Sequence, residues 1–579
     1  MTGATAALTA LPPWLVLFAL AVAVTLLPRR AGTALAAAGS LSVAGWLALV
    51  PSGTHLPVEL FGFDAALFAV VPFSRLFGVA LAGILAAAVL YGHARGVDRR
   101  HTAIALAYAG AGLGVGLAGD WLTLVVFWEL MAAMATLLVW HAGSRAPGLR
   151  YAVYHELGAL ALLGGVALHY AEAGTFLFGA AAAPAGLAGW LVVAGVALNA
   201  AVIGLHVWVP DIYPRVGVAA SVVLAAVTTK AGAYTLVRAV PDGNLVVAYA
   251  GGVTVIVAVT LAVLQTEMRR LLSYHIVSQV GYMVAGVGAG TALARSGAAV
   301  HLVSNVLYKT LLFMVAGVLV VRAGTESLKK LGTSARDVPR LAAVFAVAAL
   351  AISGVPGFNG FVSKGMVFDG VEASGLDPLW WLLVVGSVGT VVSFVKFGYY
   401  AFGGGGHGSP VRDGGSRDHD PDTTADLSTL ETAVMGAVAA ACLVLGLFPG
   451  IAFGAFPEAA VAAAKPFSVS QFTKAGAVLA AGLVLFALVR RPLKRVGAVP
   501  DLEAIYEPAG RWLAGRAVDA SVLFDRGVDA TGRTGVAGVG RAVAGLREND
   551  GVAIGPGALA VVAVLVLAVV AVLAFLALG

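Results

Sequence analysis

Apolar stretches of roughly 18–25 residues recur along almost the whole of this chain, about sixteen in number, each long enough to cross a bilayer as a helix. Inside lipid every backbone polar group must be paired within the protein, so such a chain folds as an all-α, polytopic membrane helical bundle. The expected spans are 12–28, 32–50, 76–94, 102–119, 121–141, 151–170, 187–209, 217–239, 245–266, 272–290, 296–321, 340–369, 378–402, 430–455, 472–489 and 557–578. With 60% hydrophobic and 11% charged residues among 579, a soluble globular protein is excluded. The 74 glycines suit helices that approach closely in lipid. Cys442 is the only cysteine, which rules out disulfide frameworks, iron–sulfur clusters and thiolate metal sites within this chain. No basic region precedes the first apolar segment, so that segment is expected to be a retained helix.

Lysine and arginine set the orientation. Connections after odd-numbered spans carry Arg29, Arg30, Arg95, Arg99, Arg100, Arg145, Arg150, Arg215, Arg269, Arg270, Arg322, Lys329, Lys330, Arg336 and Arg340, then Arg412, Arg417 and a basic stretch from Arg490. Connections after even-numbered spans hold only Arg75, Arg238, Arg295, Lys465 and Lys474. The asymmetry predicts an N-terminus outside and odd connections in the cytoplasm. It also accounts for the isoelectric point near 9.4 without any nucleic-acid partner. Residues 403–426, rich in Gly, Asp and Ser, read as a flexible cytoplasmic loop. The basic stretch 490–556 reads equally as an amphipathic helix on the membrane or a partner and as a solvated linker.

Charged side chains interrupt this apolar pattern. Near the bilayer centre each costs about 2.5–3.5 kcal/mol even on lenient insertion scales, so such residues usually mark an ion or proton route. Glu129 lies within Phe127–Met131 in the fifth span; buried without a partner, it is expected to suit a proton relay, or to serve as a permanently protonated packing residue. Lys230, in Thr228–Tyr234 of the eighth span, becomes a switchable proton site if buried, with snorkelling to an interface as the alternative. His301, Asn305 and Lys309 recur at four-residue intervals and share one stripe of the eleventh span, facing a hydrated interior or a helix–helix seam. In the twelfth span Pro356, between Gly354 and Gly357, predicts a break just before Lys364. The seventh span carries Asn199 and His206 ahead of Trp208–Asp211, and two irregular polar helices five spans apart point to an internal repeat. His275 in the tenth span reads as a cytoplasmic proton entry site or a functionless interfacial histidine, and Lys396 in the thirteenth as lining an exit route or as a snorkelling lysine.

The segments FWELM, LHVWVPD, TTKAGAY, LLSYHIVSQVGYM, HLVSNVLYKTLLF and GFVSKG appear in the order found in the antiporter-like subunits shared by Mrp-type cation/proton antiporters and the membrane arm of respiratory complex I. The chain resembles most the D subunit of Mrp-type Na⁺/H⁺ antiporters, over roughly residues 75–455. The resemblance implies fourteen core helices with two inverted five-helix repeats (102–239 and 245–402) and broken helices 7 and 12. They follow an N-terminal block 1–101 and precede two helices at 430–489 and a final helix at 557–578. It makes Glu129 the helix-5 glutamate, Lys230 the central helix-8 lysine and Lys364 the helix-12 lysine, with His301 and Lys309 linking the halves. Family members usually carry a lysine seven residues before the histidine of the LHxWLPD motif. Here that position is Asn199, which cannot take up a proton, so His206 and Asn199 mark a modified input site.

The function expected is a proton-translocating, non-enzymatic subunit of a multisubunit Na⁺/H⁺ antiporter in a prokaryotic plasma membrane. It would need no cofactor, and its partners would be other hydrophobic subunits, the bilayer, protons and Na⁺. Two alternatives stand beside it: a proton-pumping membrane subunit of a quinone-reducing or hydrogenase complex, and a weakly conducting scaffold.

Overall fold

The structure, a computed structural model, describes residues 11–143, 145–179, 183–331, 334–403, 427–454, 462–497 and 499. The expected loop over 404–426, the linker over 501–550 and the last span over 557–578 lie outside these residues. The helices are α1 (Pro13–Leu26), α2 (Arg29–Leu49), α3 (Pro72–Ala94), α4 (Arg99–Leu117), α5 (Trp121–His141), α6 (Arg145–Ala173), α7 (Gly186–Asn199), α8 (Trp208–Ile212), α9 (Val218–Leu224) and α10 (Thr228–Ala239). They continue with α11 (Leu245–Leu264), α12 (Met268–Gly288), α13 (Ala292–Ala323), α14 (Pro339–Ser353), α15 (Asn359–Ala373), α16 (Asp377–Phe402), α17 (Thr429–Leu447), α18 (Gly450–Phe453) and α19 (Val469–Arg495). Among the described residues ten helical stretches are long and apolar enough to cross a membrane, with α9 and α10 together forming one of them.

Polar side chains set many of the helix starts by accepting the N–H groups that a helix leaves free. Asp98 accepts from His101 N at 2.8 Å to begin α4, Asp120 from Thr123 N at 2.7 Å to begin α5, and Asn244 from Val246 N at 2.9 Å to begin α11. Within the bundle α12 is central, every residue from Leu271 to Gly288 being buried. Small residues let α11 lie against it: a Cβ added at Gly281 would stand 2.8 Å from Gly251 O, so only glycine permits this approach. At the other extreme α19 buries only Gln471, Val478 and Gly482 and turns Leu483, Val484, Leu485 and Leu488 outward, as a helix bordered by lipid would.

Between α2 and α3 stands an antiparallel hairpin that the spans did not anticipate, β1 (Gly53–Leu60) and β2 (Phe63–Val70). Both turn residues, Phe61 and Gly62, have positive φ (54° and 84°), as a tight two-residue hairpin turn requires. The buried Asp120 carboxylate accepts from Ala66 N at 2.7 Å and so fastens β2 to the start of α5.

Three helical runs are broken at depth, and each break is patched by named side chains. After Asn199 the chain leaves the helix, with Ala201 at φ 56°, and resumes at Trp208; Trp208 Nε1 donates to Leu198 O at 3.1 Å, and Ile203 N donates to Thr254 Oγ1 at 3.0 Å. Between α9 and α10, Tyr213 OH donates to Leu224 O at 2.9 Å and Tyr108 OH accepts from Thr228 N at 3.0 Å. Between α14 and α15 the chain turns through Gly354 (φ 77°) and Pro356, and Lys364 Nζ donates to Ile352 O at 2.9 Å. Irregular backbone at this depth is stable only where protein supplies the missing partners. The break ahead of Lys230 has no proline or Gly–Pro signal, and sequence reading missed it.

Candidate functional site

Each break delivers a polar side chain to the interior. Lys230 is on the first turn of α10, fully buried, and its ammonium donates to the Thr229 hydroxyl at 3.2 Å. Thr228 Oγ1, two residues earlier, sits between Tyr108 OH at 2.5 Å and Tyr151 OH at 2.7 Å, which makes a buried hydroxyl cluster at the root of the lysine helix. Gly232 allows α10 to press on the α7 break, since a Cβ there would lie 2.5 Å from Ala200 N.

Lys309 is fully buried on α13, donates to Leu272 O at 3.1 Å and lies 5.8 Å from the Phe394 ring centre. Lys230 and Lys364 are among its ionisable neighbours. Along the same helix His301 Nδ1 meets Ser363 Oγ at 3.0 Å and His301 Nε2 meets Tyr308 OH at 3.5 Å. Tyr308 OH in turn reaches Gln279 Oε1 and Asn305 Nδ2, each at 3.3 Å. The predicted stripe is thus joined to α12 and α15 by hydrogen bonds. Lys364 reaches Ser387 Oγ at 3.2 Å as well as Ile352 O, and its ammonium lies 5.0 Å from the Tyr282 ring centre. A water-sized cavity of about 20 Å³ borders Lys364, Ser387, Gln471 and Lys474. On its far side Lys474 pairs with Asp369 at 3.1 Å and Glu372 at 2.6 Å.

Lys396 has a different environment. Its ammonium donates to Val263 O at 2.5 Å and Gln265 O at 2.6 Å, the carbonyls that end α11, where a cation complements the helix dipole. His275 is fully buried within the bundle on α12, its ring 4.7 Å from that of Phe394, with Lys309, Lys364 and Lys396 as ionisable neighbours. His206 is buried inside the α7–α8 break, its ring 6.2 Å from that of Tyr274.

On the acidic side Glu129 is half-buried on α5, and its ionisable neighbour is Glu156 of α6, also half-buried. Asn199 is fully buried and its Oδ1 lies 2.7 Å from Nδ1 of His155, likewise fully buried. Sequence reading passed over His155 and Glu156, although a histidine next to a glutamate inside the apolar span 151–170 was a visible signal. Asp211 is a tether: it pairs with Arg150 at 2.9 Å and Arg215 at 2.7 Å and holds α8 to α6.

Among the described residues the salt bridges involve Arg95, His141, Arg150, Arg215, Arg269 and Lys474, and none of them includes Lys230, Lys309, Lys364 or Lys396. Four amines buried without a carboxylate repel one another wherever they are charged, because a low-dielectric interior screens charge weakly. Among the described residues no group of three or more His, Cys, Asp or Glu side chains is placed to hold a metal ion.

Residues 118–393 match the family model described as "NADH:quinone oxidoreductase/Mrp antiporter, TM". The D subunit of the Na⁺/H⁺ antiporter from Alkalihalophilus pseudofirmus is 31% identical over 314 residues, which cover 50% of this chain and 63% of that protein. Among solved structures, a chain of the Mrp complex from Dietzia sp. DQ12-45-1b superposes with a TM-score of 0.75 at 25% identity, covering 92% of this chain and 61% of that one. A chain of the membrane-bound sulfane sulfur reductase, an archaeal respiratory membrane complex, superposes with a TM-score of 0.67 at 26% identity, covering 76% of each. The chain spans less than two thirds of the length of the curated relatives that it matches first, 38%, 63% and 30%. Helical bundle, buried polar row and these matches together make the chain a multi-pass membrane protein homologous to the antiporter-like family that Mrp-type Na⁺/H⁺ antiporters share with the membrane arm of complex I.

Proposed function

We propose that the chain is a proton-translocating subunit of a multisubunit Na⁺/H⁺ antiporter in a prokaryotic plasma membrane, working beside other hydrophobic subunits. The observation that carries this reading is the row Lys230, Lys309 and Lys364, buried, bonded only to hydroxyls and backbone carbonyls, and flanked by His301 and His275. A proton on one amine disfavours a proton on the next, so charge moves along the row as each group loads and empties. Glu129, with Glu156 as a like-charged neighbour, is the carboxyl end of the route, and the Asn199–His206 break is its modified input. Lys396 belongs to the row only as its anchored margin.

The reading carries an organisation of sixteen spans with the N-terminus outside and a core of two inverted five-helix repeats, 102–239 and 245–402. It is supported by breaks at α7–α8 and α14–α15 and by the concentration of arginine and lysine in alternate connections. The direct test places the complete complex in membrane vesicles and follows a pH-gradient dye on Na⁺ addition. Lys230→Ala should abolish the exchange while leaving the subunit composition unchanged; exchange at the wild-type rate would overturn the proposal.

A second reading is favoured by the equal 76% coverage with a chain of a respiratory complex. In it the same row is driven by a redox reaction elsewhere, and the chain is the membrane part of an enzyme complex. Purification from native membranes separates the two: small hydrophobic subunits support the antiporter, and iron–sulfur or flavin subunits support the redox complex.

A further inference from the structure

We propose that His155 is the proton-carrying group at the point where α7 presents the uncharged Asn199, an inference that rests on the proton-translocation reading above. His155 stands one residue before Glu156 on α6, and its ring neighbour Tyr151 reaches the hydroxyl cluster at the root of the lysine helix. Glu156 is its neighbour in sequence and acts on Glu129 of α5. On the other side Tyr151, one turn earlier on α6, stacks on the histidine ring at 3.9 Å and gives its hydroxyl to the Thr228 cluster at the root of α10. The ring is also closed in by Trp208 at 4.6 Å, and Trp208 is itself pinned to Leu198 O across the α7 break.

The hydrogen bond to Asn199 fixes the chemistry. With the Asn199 carbonyl facing the ring, Nδ1 carries a hydrogen and donates it at 2.7 Å, so the neutral ring keeps Nε2 as its acceptor. Among the described residues Nε2 has no hydrogen-bond partner, and neither does Asn199 Nδ2. A histidine–asparagine pair that merely filled the core would leave these buried groups unsatisfied. A proton taken at Nε2 yields an imidazolium whose Nδ1–H still donates to Asn199 Oδ1, so both protonation states share one geometry. A lysine at position 199 would repel that imidazolium, whereas the asparagine carbonyl stabilises it. The proton passes from a Glu129 or Glu156 carboxyl to Nε2, leaving a carboxylate, and then to the neutral Lys230 amine, restoring the neutral ring. The titratable groups around the step are Glu129 of α5, Tyr108 of α4, Glu156 and Tyr151 of α6, His206 of the break and Lys230 of α10.

The test uses the complete complex in vesicles, with exchange expressed per assembled complex. His155→Gln keeps a polar side chain of similar size but cannot titrate, and should slow exchange at least tenfold. Adding Asn199→Lys to that variant returns a basic group to the site and should restore much of the rate, which a lost packing contact would not allow. Wild-type exchange in His155→Gln, or loss that Asn199→Lys leaves unrepaired, would overturn the inference. The Lys230→Ala control keeps the two proposals apart: if it abolishes exchange while His155→Gln does not, only the histidine assignment falls.

Discussion

Replacing Lys396 by methionine separates an anchor from a proton site. The lysine makes two charge-assisted bonds to Val263 O and Gln265 O, and bonds of that kind contribute about 1.5–3 kcal/mol each. Methionine retains the apolar stem but leaves both carbonyls without this donor, at about 1–3 kcal/mol each. Against this stands relief from burying an ammonium, which costs several kcal/mol in a protein interior. The balance is a local loss of about 2 kcal/mol at the end of α11, and since about 1.4 kcal/mol is a factor of ten, opening there should rise roughly thirtyfold. Hydrogen exchange followed by mass spectrometry on peptides covering 258–268 reads this directly, alongside Na⁺-driven exchange in vesicles. Faster amide exchange with transport largely kept supports the anchor. Unchanged amide exchange with transport abolished would refute it and return Lys396 to the proton row.

Two further substitutions follow from the packing and the caps. Gly232→Val drives a side chain against Ala200 N, and backbone cannot give way as a flexible side chain would; overpacking of this kind costs about 1–3 kcal/mol, so thermal stability of the purified complex should fall and exchange should slow with it. At Asp98 burial raises the carboxyl, but the His101 N–H at 2.8 Å and the His141 ring at 2.9 Å outweigh it and hold the group below its ordinary range. A depressed folded-state value stabilises above the unfolded value, near pH 4, and is lost as pH falls through the folded one. The stability gap between wild type and Asp98→Asn should therefore be full at neutral pH and close in acid, as thermal unfolding at several pH values would record; a gap independent of pH would refute it.

How much of this was legible in the chain depends on how local each signal is. Hydropathy alone located the helices near the expected spans, because a residue's preference for lipid does not depend on its neighbours in space. The α14–α15 break was equally readable, since Pro356 carries no N–H and the flanking glycines accept unusual backbone angles. The break before Lys230 was not, because it is sustained by Tyr213 and Tyr108, one from a neighbouring turn and one from α4. The hairpin over 53–70 also escaped, lying in a stretch left between two expected spans, and Asp120 fastens it from far along the chain.

The sequence by itself determined that the chain is a bundle of membrane helices and that Glu129, Lys230, Lys309 and Lys364 are charges in apolar surroundings, because cost in lipid is a property of each side chain. Only the tertiary structure decided what each charge meets. It gave Lys396 the end of α11 and enclosed His275 among lysines, and it set His155 beside Asn199, where the sequence showed only a missing lysine. Those outcomes depend on which helices touch and in what rotation, and side chains separated by tens or hundreds of residues acquire their chemistry only when packing brings them within hydrogen-bonding distance.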